Sequence, residues 1–157
     1  MDKRAQLEGF DVIVGLFIFL LLFTFVSTTW QEIFNLTERG RQLERLKLKA
    51  VELSDQLALS PGMPGNWQIA SDYNKIGLSV KPRKIGLEKL NAMQNADYNA
   101  LKTKMNIEGN DYWVRITMQQ QIVFEKGMQR ERSLSAKVER IVSYQNNPAL
   151  LSVIIYE

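Results

Sequence analysis

The stretch KRAQLEGFDVIVGLFIFLLLFTFVSTTW, residues 3–30, decides how the rest of the chain is read. From Val12 to Val26 it is apolar apart from Thr24. A helix from Gly9 to Trp30 would rise about 33 Å, enough to cross a bilayer core. Trp30 falls where an interfacial aromatic belongs. No small-residue cleavage pattern comes after Val26, so the run does not read as a conventional secretory signal. Lys3 and Arg4 precede it, which puts the N-terminus in the cytoplasm and everything beyond Trp30 outside. Glu8 and Asp11 stand just inside this charged lip. An ionised acid costs about 2.5–3.5 kcal/mol at the bilayer centre, so these two are tolerated by shallow depth or they act.

Composition bounds the part of the chain beyond the anchor. The chain has 157 residues, 45% hydrophobic and 24% charged, with a net charge of +3. That length suits one anchor segment and one modest body. Cysteine and histidine are absent. Disulfide scaffolds, zinc sites on His or Cys, thiol nucleophiles and histidine-based triads are thereby excluded. No glycine-rich phosphate loop matches either. The expectation is a non-enzyme with no cofactor, no catalytic residue and no metal. Asn106, Glu108, Asn110 and Asp111 in NIEGND miss calcium-loop spacing, and the segment reads as a turn. Basic residues cluster at Lys81, Arg83 and Lys84 and again at Arg130 and Arg132. Single-strand capture would need aromatics interleaved with them, whereas Trp67 is expected to pack under a Pro/Gly turn, so nucleic acid is not an expected partner.

Beyond Trp30, Leu36, Leu43, Ala50 and Leu57 recur every seven residues, with Leu46 and Leu53 between them. That spacing lines one helical face, so one helix is expected from about residue 8 to about residue 58. The stripe Leu43, Leu46, Ala50, Leu53 and Leu57 should bury against strands at 112–124 and 150–156. A dimeric coiled coil is the rival use of the same stripe. SPGMPGNW (60–67) ends the helix. A short strand is expected over Ile76–Val80, then two short helices over Leu87–Asn95 and Ala96–Ile107. Tyr112, Val114, Ile116, Met118, Ile122 and Phe124 share one parity, as a long strand or a tight pair about the glutamines at 119–121. Val138, Val142 and Tyr144 mark another strand, and Leu150–Tyr156 a near-continuous apolar one suited to the sheet centre. Asn146-Asn147-Pro148 is the expected turn between them. The fold class is α+β: a long N-terminal transmembrane-plus-amphipathic helix on a small antiparallel sheet, with a helical insertion.

Arg4-Ala5-Gln6-Leu7, directly before a single apolar run, resembles the class III signal peptides of archaeal type IV pilin-like proteins. SPGMPGNW, IGLSV (76–80), GLEKLNAM (86–93), DYNALKTKM (97–105) and NDYWVRI (110–116) are similar to the body of such proteins. The resemblance implies that a prepilin peptidase cuts between Ala5 and Gln6. It further implies a leader at 1–5, a transmembrane part of the helix at 6–30, and an extracellular globular domain at 31–157 that includes the second half of the helix. Bacterial pilins carry glutamate at the fifth mature residue; here that residue would be Phe10, with Glu8 and Asp11 third and sixth.

The implied function is a structural subunit, major or minor, of a pilus-like surface filament, with the membrane and other pilin-like subunits, its own copies included, as partners. A membrane-anchored surface binding or adhesion protein that never polymerises is the alternative. In a filament, Glu8 or Asp11 could meet a neighbour's amino terminus. Opposite charges about 4 Å apart gain roughly 4 kcal/mol at an effective dielectric near 20. Equally, the acids could sit at headgroup level, where the helix N-terminus favours them. N-terminal mass spectrometry of the native protein is expected to find Gln6 first; a chain starting at Met1 or after Val26 counts against the resemblance.

Overall fold

The computed structural model describes residues 3–70, 72–131 and 133–157, with side chains from Ile13 onward outside the gaps. The fold is α+β. It divides into a helical unit ending at Gln42 and a compact body, Leu43–Glu157. Helix α1 (Lys3–Leu59) contributes to both. The body adds β1 (Gly62–Met63), β2 (Lys75–Ile76), β3 (Ser79–Lys81) and β4 (Lys84–Ile85), then α2 (Leu87–Asn95) and α3 (Tyr98–Lys104). It ends with β5 (Asp111–Met118), β6 (Gln121–Gly127), β7 (Ser135–Tyr144) and β8 (Asn147–Tyr156). β1 and β2 form a small ribbon, and the other six make one sheet in the order β3-β4-β7-β8-β5-β6.

Only β4 and β7 run parallel in that sheet; every other neighbour is antiparallel. β8 is central between β7 and β5, which explains its apolar run. Its odd residues Leu151, Val153 and Ile155 are fully buried, beside Val114, Ile116 and Tyr112 of β5 in register. Against this face lies one stripe of α1. Leu46, Ala50, Leu53 and Leu57 are buried in the same core cluster as these strand residues, while Leu43 is half-buried. Leu36 and Leu48, at 69% and 70% exposure, take no part in that core. Burying each such leucine is worth roughly 1.5–3 kcal/mol, so the stripe supplies much of the stability of a domain this size. An ion pair, Arg140 Nε to Asp55 Oδ1 at 2.9 Å, flanks it.

The end of α1 is where the sheet starts. Pro61 stops the helix, leaving its last carbonyls without intrahelical donors. The chain returns to supply them: Leu78 N donates to Leu57 O (3.1 Å), Arg83 N to Ala58 O (2.8 Å) and Ser79 N to Ser60 O (3.3 Å). Gly77 lies so close to Ser60 that a Cβ there would collide with its carbonyl oxygen. Lys89 of α2, only 5% exposed, donates to Pro61 O (2.5 Å) and Ser79 O (3.0 Å). Burial lowers its pKa, yet it stands where the negative end of a helix lacking basic residues in its last turn favours a cation. Trp67 does pack under the Pro/Gly turn, 2% exposed and donating Nε1 to Gly77 O at 2.7 Å.

Several local expectations are corrected. The strand over 76–80 is broken into β2 and β3, because Leu78 turns aside to donate its N–H to Leu57 O at the end of α1. The second short helix starts at Tyr98, where Asp97 caps it by accepting from Ala100 N, and it stops at Lys104. Leu87 is exposed, unlike Leu90, Met93, Leu101 and Met105. The glutamine stretch resolves into a hairpin, with Gln119 and Gln120 at φ 50° and 67°, as a type I′ turn requires. This two-residue turn pairs Met118 with Gln121 and so places Ile122 opposite Thr117, away from the core parity and 52% exposed. A bulge beyond it returns Phe124 to the core face opposite Ile116. The β7–β8 turn is Gln145-Asn146, both at positive φ, so Asn147 and Pro148 lie in the strand. Pro148 is tolerated because its partner Ser143 donates its N–H to Arg83 O of the loop before β4, and β5 reaches only Leu150.

Leu53→Asp is expected to unfold the body, or to lower its melting temperature by more than about 15 °C in detergent-held full-length protein. Leu48→Asp, on the exposed face, should stay within a few degrees. Thermal melts followed by circular dichroism decide it; equal shifts would mean that the stripe is not the core face.

Candidate functional site

The largest chemical anomaly is the surface of α1 before the body begins. From Ile13 to Leu36 its large side chains are exposed all round, among them Ile13 (65%), Phe17 (63%), Phe25 (69%) and Trp30 (70%). A helix apolar on every side is unsuited to water and belongs in lipid or among other apolar helices. α1 is long and apolar enough to cross a membrane, and its most apolar window has no residue buried within the protein. The threonines in the run satisfy their hydroxyls within the helix. Thr24 Oγ1 donates to Leu20 O at 2.8 Å, and Thr28 and Thr29 both donate to Phe25 O at 2.9 Å. Back-bonding hydroxyls of this kind carry no unpaired donor into a medium without water. The first charged side chain after the run is Glu32, followed by Glu38, Arg39 and Arg41. Arg4, Ala5, Gln6, Leu7, Glu8 and Asp11 lie outside the residues whose side chains are described.

A second concentration of polar chemistry is centred on Asp111, at the start of β5. Its Oδ1 accepts from Tyr98 OH (2.9 Å) and Lys102 Nζ (3.1 Å), and its Oδ2 pairs with Arg130. Burial opposes the charge, but the donors from Lys102, Tyr98 and Arg130 outweigh it and hold the carboxyl below its ordinary pKa. Tyr98 responds in the opposite sense: burial and the hydrogen bond to Asp111 push its hydroxyl up to about 12. Its ring stacks on Tyr112 with centroids 4.9 Å apart. Next door, Asn110 accepts from Lys49 Nζ at 2.6 Å and donates to Tyr156 O at 3.1 Å. The side-chain oxygens of Asn110 and Asp111 in the NIEGND turn thus answer to protein cations. They join the α1 portion of the body, α3, β5 and the chain end. Among the described residues, no three acidic groups gather in a metal-holding cluster.

Nothing local in the sequence marks this hub, since Asn110 and Asp111 have the character of ordinary turn residues. The one signal is a pair of acceptors flanked by Tyr98, Lys102 and Arg130, which only the fold brings together. Of the basic residues, Arg130 is engaged with Asp111, whereas Lys81, Arg83 and Lys84 are exposed. Arg132 lies outside the described residues. No family model matches the chain, and neither does any curated protein or solved structure compared with it.

Because the folded pKa of Asp111 is depressed, its contribution is present above the ordinary carboxylate value near 4 and fades as pH falls through the depressed value. Asp111→Asn is expected to melt below wild type at pH 7, and the difference should shrink as the medium is acidified below about pH 4. Melts across that range check it; a constant gap would show that charge on Asp111 is not what the hub uses.

Proposed function

We propose that this chain is a structural subunit, major or minor, of an archaeal type IV pilus-like surface filament, held in the membrane and assembled through α1. One observation carries the reading. A single helix is exposed and apolar on all sides over 13–26, then continues as an amphipathic element whose stripe is buried in an α+β body. Such a helix needs lipid before assembly, and packing among the equivalent helices of other copies would replace that lipid afterwards. The motif Arg4-Ala5-Gln6-Leu7 adds support, since cleavage there by a prepilin peptidase would leave the apolar run on the mature subunit. Lys3 and Arg4 favour a cytoplasmic N-terminus, with the body outside the cell.

The direct experiment compares sheared extracellular fibres with detergent-soluble membranes, using mass spectrometry to count the subunit in each. Recovery in fibres supports the proposal; recovery only in membranes favours the anchored surface protein that never polymerises. Glu8→Gln with Asp11→Asn refines the test. Neutralising the acids eases insertion, so an assembly defect could not come from poor membrane entry. If the acids dock a neighbour's amino terminus, the fibre-to-membrane ratio of the variant should fall severalfold below wild type. An unchanged ratio leaves them as helix-end electrostatics.

A further inference from the structure

The four residues Lys81-Pro82-Arg83-Lys84 break two local rules at once. Lys81 and Lys84 are cross-strand partners, so like charges face each other across the β3–β4 hairpin. Between them Arg83 sits at φ 64°, after a proline, where glycine or asparagine is the usual choice. The backbone there is held from two sides, by Arg83 N to Ala58 O at 2.8 Å and Ser143 N to Arg83 O at 2.7 Å. Lys84 Nζ is steadied by Asn146 Oδ1 at 3.0 Å. All three basic side chains are exposed, and among the described residues none forms an ion pair with a carboxylate. Local conflicts gathered on a firmly held hairpin mark a place kept for something other than stability.

From this geometry we infer that the hairpin is a docking point for an acidic polysaccharide. Arg83 presents a planar fork suited to a carboxylate or sulfate, flanked by the two ammonium groups as point charges. Gln145, Asn146 and Asn147, all exposed in and beside the turn that Lys84 touches, supply amide donors and acceptors for sugar hydroxyls. Nucleic acid fits less well. The aromatic nearest in sequence, Tyr73, is half-buried, packed on Trp67 with Lys104 Nζ over its ring. The nearest in register, Tyr144, is buried, so neither offers a free ring for base stacking. The inference stands on the body alone, whichever way α1 is used.

The test uses the full chain in detergent over immobilised polygalacturonate (carboxylates only), dextran sulfate, uncharged dextran and duplex DNA, at about 50 mM salt. Wild type should bind both acidic polysaccharides and ignore dextran. Lys81→Gln with Arg83→Gly and Lys84→Gln should weaken that binding at least tenfold. A charge-matched variant on the exposed side of α1, Arg41→Gln with Arg45→Gln and Lys47→Gln, should change it less than twofold. Arg83→Gly alone removes the fork and relieves its backbone conformation; a threefold or greater loss with no drop in melting temperature supports the assignment. Equal losses in both triple variants reduce the effect to net charge and overturn it. So do failure of wild type to bind, tighter binding of DNA, or hairpin variants that lose melting temperature and keep their affinity. The last outcome would mean that the cations merely balance the end of α1.

Discussion

Burial of Leu46, Ala50, Leu53 and Leu57 against β5 and β8 is the contact on which the body depends. These strands are apolar on the face that meets the helix, and without the helix that face would lie in water. The same contact brings the end of α1 to the chain segment after it. Because Pro61 stops the helix there, its carbonyls need donors, and residues 78–83 provide them. The first short strands are therefore placed by the demands of a helix end as much as by pairing with the sheet. Lys89 completes that junction with two further bonds to backbone oxygens.

α1 also meets a second requirement, because its first part has no core to enter. There the backbone is satisfied within the helix, and threonine hydroxyls are turned back onto carbonyls of the preceding turn. The hydroxyls of Thr24, Thr28 and Thr29 thereby carry no unpaired donor that a bilayer would penalise. A helix with an all-round apolar surface and one with a narrow stripe require opposite things of their surroundings. The change happens within one uninterrupted element, around the charged residues Glu38, Arg39, Arg41, Glu44 and Arg45. The proposed membrane-held, assembling subunit rests on that change of surface along a single helix.

The sheet carries its own safeguards. Its open edges are β3 and β6. A bulge distorts the pairing of β6 with β5, and Lys81 and Lys84 lie on or beside the short β3 edge. Both devices discourage edge-to-edge pairing with stray strands. The Asp111 hub locks the opposite end of β5, where Tyr98, Lys102 and Arg130 converge from α3 and the β6–β7 connection.

Sequence alone determined the features that depend on local periodicity and composition. These are the apolar run, the stripe at 46, 50, 53 and 57, the two short helices, and the alternation along 112–118. They are legible because each repeats a helical or extended period over enough residues to stand out. The α+β class comes from their order. Only the tertiary structure decided the rest. β4 is two residues long and pairs in parallel with β7, too short for any period to betray it. Ile122 left its expected face because the two-residue turn pairs Met118 with Gln121, and only a bulge after it returns Phe124 to the core; a shift of one residue moves a side chain to the other face. The carboxylate of Asp111 and its three donors are spread over residues 98 to 130, so their meeting depends on how the elements pack. Capping of α1 by residues 78–83 has the same origin: unpaired carbonyls take whatever donors the fold delivers, and no local pattern announces which.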